Sequence, residues 1–129
     1  MENTIRVLIA DEDKEFCAML RETFCIDERM EIIGTYGDGN GLAQRILQDA
    51  PDVVLMDLVL PGVDGLTVLH ELNEAEPAKM PVIFVVSSFA SQETTEECNA
   101  LGVSFYLRKP VDLQALAQRV CRYGGRRSA

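Results

Sequence analysis

At 129 residues, with 47% apolar against 26% charged side chains, the chain has the makings of one globular core; disorder is excluded, and a second domain of ordinary size does not fit. A formal charge of −9 excludes this chain as a clamp for nucleic acid, because the phosphate backbone rewards clustered Lys and Arg. The four cysteines, Cys17, Cys25, Cys98 and Cys121, form no CxxC pair and have one histidine, His70, for company, so they are expected to be structural thiols and not zinc ligands. No leader pattern opens the chain, and no apolar run approaches the roughly 18 residues of a spanning helix, so we expect a cytoplasmic protein without membrane contact.

The first element is the apolar run Ile5-Arg-Val-Leu-Ile-Ala10, closed by three acids, which reads as a buried strand ending at a polar edge. Asp13 is placed to cap a helix whose inward face carries Phe16, Leu20 and Phe24, with Met19 alongside. Met30 to Gly34 reads as a second strand, and Gly37-Asp-Gly-Asn-Gly41 as a loop. Leu42, Ala43, Ile46 and Leu47 mark a second amphipathic helix, stopped at Ala50-Pro51 because the residue before a proline disfavours helical geometry. Val53-Val-Leu-Met-Asp57 is again apolar until an acid.

The same beat continues through a helix around Leu66, Leu69 and Leu72, a strand Val82 to Val86, and a helix through Cys98 and Leu101. It ends with a strand Ser104 to Arg108 and a helix from Asp112 that carries Leu113, Leu116 and Val120 inward. Five strands with continuous apolarity, alternating with five helices, imply an open α/β fold with a doubly wound parallel sheet covered on both faces. We expect one domain over residues 1–123. Residues 124–129 lack an apolar period and read as a tail or the start of a linker to an output domain.

In such a sheet the ligand site lies outside the carboxyl ends of the strands, where each apolar run stops. The first run stops at Asp11-Glu12, the third at Asp57 and the fourth at Ser87-Ser88, and the fifth is followed by Lys109-Pro110. Three carboxylates, a hydroxyl and an ammonium thus converge on one edge. Repulsion among the acids calls for a shared cation, and oxygen-only ligation with open positions favours Mg²⁺. This is equipment for phosphoryl transfer, with Asp57 as nucleophile, Asp11 and Glu12 on the ion, and Lys109 paired with Asp57 at rest and with phosphate afterwards.

Asp11-Glu12, Asp57-Leu-Val-Leu-Pro61-Gly-Val-Asp64-Gly65, Ser87 and Tyr106-Leu-Arg-Lys109-Pro110 together resemble the receiver domain of bacterial response regulators, over about residues 4–123. Ile9-Ala10-Asp11 and Val63-Asp64-Gly65-Leu66-Thr-Val-Leu69 are further similar to the receiver half of the sporulation master regulator of spore-forming bacteria. The resemblance implies the flavodoxin-like strand order 2-1-3-4-5, with Asp57 as phosphoacceptor and Asp11, Glu12, Asp57 and the Val59 carbonyl as Mg²⁺ ligands. It also implies a cis peptide before Pro110. Ser87 would turn to the phosphate and Tyr106 inward, switching an output surface.

Its implied partners are a sensor histidine kinase or histidine phosphotransferase, and a second copy of the chain in a phosphorylation-dependent homodimer. The module would be a signalling domain and not an enzyme beyond its own phosphorylation and dephosphorylation, acting on transcription through a C-terminal DNA-binding domain. Two departures stand out. Glu12 occupies a position usually held by aspartate, and Val59 and Phe89 occupy positions that tune the lifetime of the acyl phosphate without being able to orient water.

Asp64-Gly65 is expected to serve a turn, with the glycine at positive φ, and His70 to be a solvated side chain. A haloacid-dehalogenase-type phosphohydrolase would want Asp-x-Asp after the first strand and a late acidic pair, and a flavodoxin-like electron carrier would want a Ser/Thr/Gly phosphate loop where this chain has acids. The remaining alternative is a receiver-shaped module that binds partners without being phosphorylated.

Overall fold

The computed structural model describes residues 4–89 and 91–128, with side chains through residue 124; residues 1–3 and 129, at the two ends of the expected domain and tail, lie outside the described residues. In chain order the elements are β1 (Ile5–Ala10), α1 (Lys14–Cys25), β2 (Met30–Tyr36), α2 (Leu42–Asp49), β3 (Val53–Met56), α3 (Gly65–Ala75), β4 (Val82–Ser87), α4 (Gln92–Ala100), β5 (Phe105–Arg108) and α5 (Leu113–Ser128). The strands form one sheet in the order β2-β1-β3-β4-β5, every neighbouring pair parallel. The expected doubly wound (βα)5 sheet is what the chain forms.

Period-two alternation along the strands splits the core into two layers. Leu8, Ala10, Val54, Met56, Ile83 and Val85 face α2, α3 and α4, which contribute Ile46, Leu69, Leu72 and Cys98. Val7, Ile9, Val53, Leu55, Phe84 and Val86 face α1 and α5, which contribute Leu20, Phe24, Leu116 and Val120. β1 and β3 lie side by side in the middle while their chains depart to opposite sides, and this opens a crevice at their carboxyl ends. The register pairs Ala10 with Met56, and the Asp57 N–H donates to the Ala10 carbonyl at 2.9 Å. The residues that follow the two strands, Asp11 and Asp57, therefore emerge next to each other.

Side-chain caps set the helix starts: Asp13, Asp64, Ser91 and Asp112 accept from Phe16, Thr67, Thr94 and Ala115 backbone N–H groups. Both α2 and α3 end on a residue in the left-handed region, Ala50 at φ 46° and Glu76 at φ 47°, each directly before a proline that bars a further right-handed turn.

Three expectations need correction. Met19 and Leu47, read as inward, are 45% and 38% exposed, because each sits at the margin of its helix's apolar stripe. Asp64-Gly65 does not use positive φ at Gly65; instead a Cβ there would lie 2.7 Å from Leu58 Cα and 2.8 Å from the Asp57 carbonyl oxygen, so the glycine lets α3 start directly against the phosphoacceptor candidate's backbone. Finally, the helical backbone does not stop where the apolar period fades near Tyr123. Gly124 is buried, and a Cβ there would meet Val53 Cγ2 at 2.5 Å and Ile5 Cγ2 at 3.0 Å. What reads as a linker glycine is a point of close approach between α5 and the sheet.

Gly124→Ala should consequently destabilise the fold. Overpacking against two immobile β-branched side chains costs about 1–3 kcal/mol, against about 1 kcal/mol gained in helix propensity. Urea unfolding should show a net loss of about 1 kcal/mol; an unchanged or raised midpoint would sink the packing account.

Candidate functional site

Beyond the carboxyl ends of β1, β3 and β4 lies an open pocket of about 410 Å³ lined by Asp11, Glu12, Asp13, Asp57, Val59, Ser87, Ser88 and Lys109. Each side chain is delivered by a strand that has just run out of apolar residues. Asp11 is 4% exposed, Asp57 9% and Ser87 0%, so they are the buried polar residues among those described, while Glu12, Asp13 and Val59 stand exposed at the rim.

The Lys109 ammonium joins the two buried acids, donating to Asp11 Oδ2 at 2.9 Å and to Asp57 Oδ2 at 3.1 Å. Asp57 Oδ1 accepts from the Ser87 hydroxyl at 2.8 Å and from the Val59 N–H at 3.0 Å, and Asp11 Oδ1 accepts from the Asp13 N–H at 2.9 Å. Ser87 Oγ in turn accepts from the Phe89 N–H at 3.2 Å. Every carboxylate oxygen of the buried pair thus has a donor, as burial of charge demands. Burial by itself would make Lys109 easier to deprotonate, but its hydrogen bonds to Asp11 and Asp57 and its attraction to their charges outweigh this and hold its pKa above the ordinary lysine value.

The backbone of Lys109 is tied to β4. Its N–H donates to the Ser87 carbonyl at 2.9 Å, and the Lys109-Pro110 peptide is cis. The Lys109 ammonium also lies 4.4 Å from the centroid of the Phe16 ring. Phe16 is the residue that the sequence reading assigned to the core alone. Its position in the first turn of α1, directly after the acids of the pocket, was the available signal.

Tyr106 on β5 does not line this pocket. Its hydroxyl donates to the Phe89 carbonyl in the β4–α4 connection, and burial pushes its phenol pKa up, helped by Cys98 and Asp57 nearby. Phe89 and Val59, 52% and 60% exposed, are apolar side chains on the loops that follow β4 and β3. Elsewhere, His70 is paired across helices with Glu97 on α4, Nε2 to Oε2 at 2.9 Å, and so is not simply solvated. All four cysteines are free thiols; Cys17 and Cys98 are buried, with their pKa pushed up by burial, while Cys25 is exposed and contributes nothing to the core.

The pocket is rich in hard oxygen donors and poor in anything else, with four carboxylates against one ammonium among its lining residues. That donor set fits a hard divalent cation, which would offset the excess negative charge. Among the described residues no three acidic or other ligating side chains already stand close enough to hold an ion between them. Glu12 lines the same pocket but is exposed, whereas Asp11 and Asp57 are buried.

The family model of the response regulator receiver domain matches residues 7–121. Among solved structures, the REC domain of AraT, a response regulator from Geobacillus stearothermophilus, is 28% identical, with a TM-score of 0.79 over 97% of this chain and 95% of that one. A DNA-binding response regulator of the LuxR family from Staphylococcus aureus is 20% identical, with a TM-score of 0.82 over 93% and 98% of the two chains. A chain from the CheX-CheY-BeF3-Mg complex of Borrelia burgdorferi is 24% identical, with a TM-score of 0.81 over 93% and 89%. The last two likenesses bear on the fold alone.

Two carboxylates sharing one ammonium make the site asymmetric to mutation. Asp57→Asn leaves a neutral Asp11–Lys109 pair and should cost less than about 1 kcal/mol, whereas Lys109→Met strands two buried charges and should cost about 3 kcal/mol, both read from urea unfolding. The pH dependence has a definite sign. The folded pKa of Lys109 lies above its unfolded value, so its contribution is complete below that ordinary value of 10.5 and is lost as pH rises through the folded one. Wild type should lose stability over that alkaline range by a step that Lys109→Met lacks.

Proposed function

The chain belongs to the family of response regulator receiver domains, and from that premise we propose that it is a phosphoacceptor whose Asp57 takes the phosphoryl group of a phosphohistidine on a sensor histidine kinase or histidine phosphotransferase. The observation that carries this reading is the pairing of buried Asp57 with Lys109 at the floor of an open acidic pocket. In the transfer an Asp57 carboxylate oxygen attacks phosphorus in line. The P–N bond to the donor imidazole breaks with its electron pair going to nitrogen, and an acyl phosphate P–O bond forms.

Phosphoryl transfer asks chiefly for positioning and charge neutralisation. Lys109 already touches Asp57 Oδ2 and is placed to follow charge onto the incoming phosphoryl oxygens. Mg²⁺ would be held by Asp11, Glu12, Asp57 and the Val59 carbonyl, and would supply further neutralisation of those oxygens. An apolar groove lined by Phe16, Met19, Pro110, Val111 and Leu113 adjoins the pocket through Ser88 and Lys109, and supports docking of a donor protein there. It also gives the exposed Met19 a use.

Ser87 and Tyr106 would carry the signal outward. The Ser87 hydroxyl, now on Asp57, would turn to the phosphate, and Tyr106, now bonded to the Phe89 carbonyl, would turn inward and alter the surface of α4, β5 and α5. A homodimer formed on that change and a transcriptional output through a DNA-binding domain beyond residues 124–129 complete the proposal. The resemblance to the sporulation regulator supports that output, while the charge of −9 argues against DNA binding by this domain itself. No helix among the described residues is long and apolar enough to cross a membrane, and the proposed location is the cytoplasm.

Treatment of the chain with acetyl phosphate should add one phosphate by intact-mass spectrometry, with Mg²⁺ and not without it, and not in Asp57→Asn. Failure to gain phosphate under any condition would leave the phosphorylation-independent binding module. Once formed, the acyl phosphate should be long-lived, because the exposed side chains at the two positions that the resemblance assigns to tuning its lifetime, Val59 and Phe89, have no polar group to orient an attacking water. Chasing the phosphorylated mass after donor removal should show persistence well beyond seconds, and decay within seconds contradicts this reading.

A further inference from the structure

We propose that Phe16 is a positioning residue for Lys109, its ring face closing a cage whose other two walls are the carboxylates of Asp11 and Asp57. An ammonium has three donors, and Lys109 spends two of them on Asp11 and Asp57. The ring centroid 4.4 Å away is well inside the range at which an aromatic face attracts a cation. The ammonium is partly buried, with the side chain 18% exposed, so the attraction is not lost to solvent.

The backbone that carries the ring is tied to the acids of the site. The Phe16 N–H donates to Asp13 Oδ1 at 3.0 Å, and the Asp13 N–H donates to Asp11 Oδ1 at 2.9 Å. Asp11, Asp13, Phe16 and Lys109 therefore form a closed circuit of contacts around the ammonium. Met19, Val111 and Leu113 line the same groove as the ring and offer the ammonium no acceptor.

This matters because a lysine is a point charge on a flexible four-carbon stem, and two acids alone leave it free to swing toward solvent on its third side. An aliphatic side chain at position 16 would fill the same space but present no negative face. The inference rests on the phosphoacceptor reading for its kinetic consequence and on the geometry alone for the cage.

The test uses the whole chain as wild type, Phe16→Leu, Phe16→Tyr, Lys109→Met and the Phe16→Leu/Lys109→Met double variant. With acetyl phosphate and Mg²⁺, Phe16→Leu should take up phosphate about 2- to 30-fold more slowly than wild type, and Phe16→Tyr should recover most of the rate. Removing the ring in the Lys109→Met background should cost nothing further, since the cation it holds is gone.

A wild-type rate in Phe16→Leu, no recovery in Phe16→Tyr, or an equal loss with and without Lys109 would each overturn the cage. Should wild type itself gain no phosphate, the phosphoacceptor reading falls by itself, and the cage is read from urea unfolding of the same proteins. There a coupling of about 2- to 30-fold in the unfolding constant supports it, and no coupling overturns it. Where Lys109→Met does not fold, the comparison of Phe16→Tyr with Phe16→Leu decides.

Discussion

Two buried carboxylates held on one ammonium are the interaction around which this domain is arranged. Burying Asp11 and Asp57 side by side is unfavourable in a low-dielectric setting, and Lys109 together with donors from Ser87, Val59 and Asp13 is what makes it tolerable. The arrangement compensates the two acids incompletely, with one positive charge for two negative ones. A pocket left short of positive charge and lined by oxygen donors suits a hard cation.

The sheet is what imposes that closeness. β1 and β3 are neighbours by topology, not by sequence, and their register brings the residues after Ala10 and Met56 to the same level. α3 then packs its first residue, Gly65, straight onto the backbone of Asp57 and Leu58, which leaves the loop between them little room to move. The bond from the Lys109 N–H to the Ser87 carbonyl fixes the base of the lysine.

From the site a short route leads outward through bonds already made. Ser87 ties Asp57 to the start of the β4–α4 connection through the Phe89 N–H, and the carbonyl of that same Phe89 holds the Tyr106 hydroxyl. The element beyond it, α4, buries only Cys98 among its nine residues and is tied to α3 by the exposed His70–Glu97 pair. A helix with so thin an apolar stripe has a weaker hold on the sheet than α1 or α3, and sits next to the point where charge on Asp57 would be felt.

By itself the sequence determined the fold class, the order and type of all ten elements and the set of polar residues at the strand ends, because these rest on short-range signals. Continuous apolar runs make buried parallel strands, the caps Asp13 and Asp112 mark helix starts, and an apolar run must stop where the sheet meets water. Which contacts those residues make was decided only by the tertiary structure. That Lys109 is shared between Asp11 and Asp57, that Tyr106 reaches Phe89 and not the pocket, and that the Phe16 ring stands under the ammonium are facts about segments far apart along the chain. The same holds for Gly65 and Gly124, which look like a turn and a linker until the backbones they press against are in place. Periodicity reports which way a side chain faces, but the identity of its neighbour depends on how distant elements pack, and no local pattern carries that information.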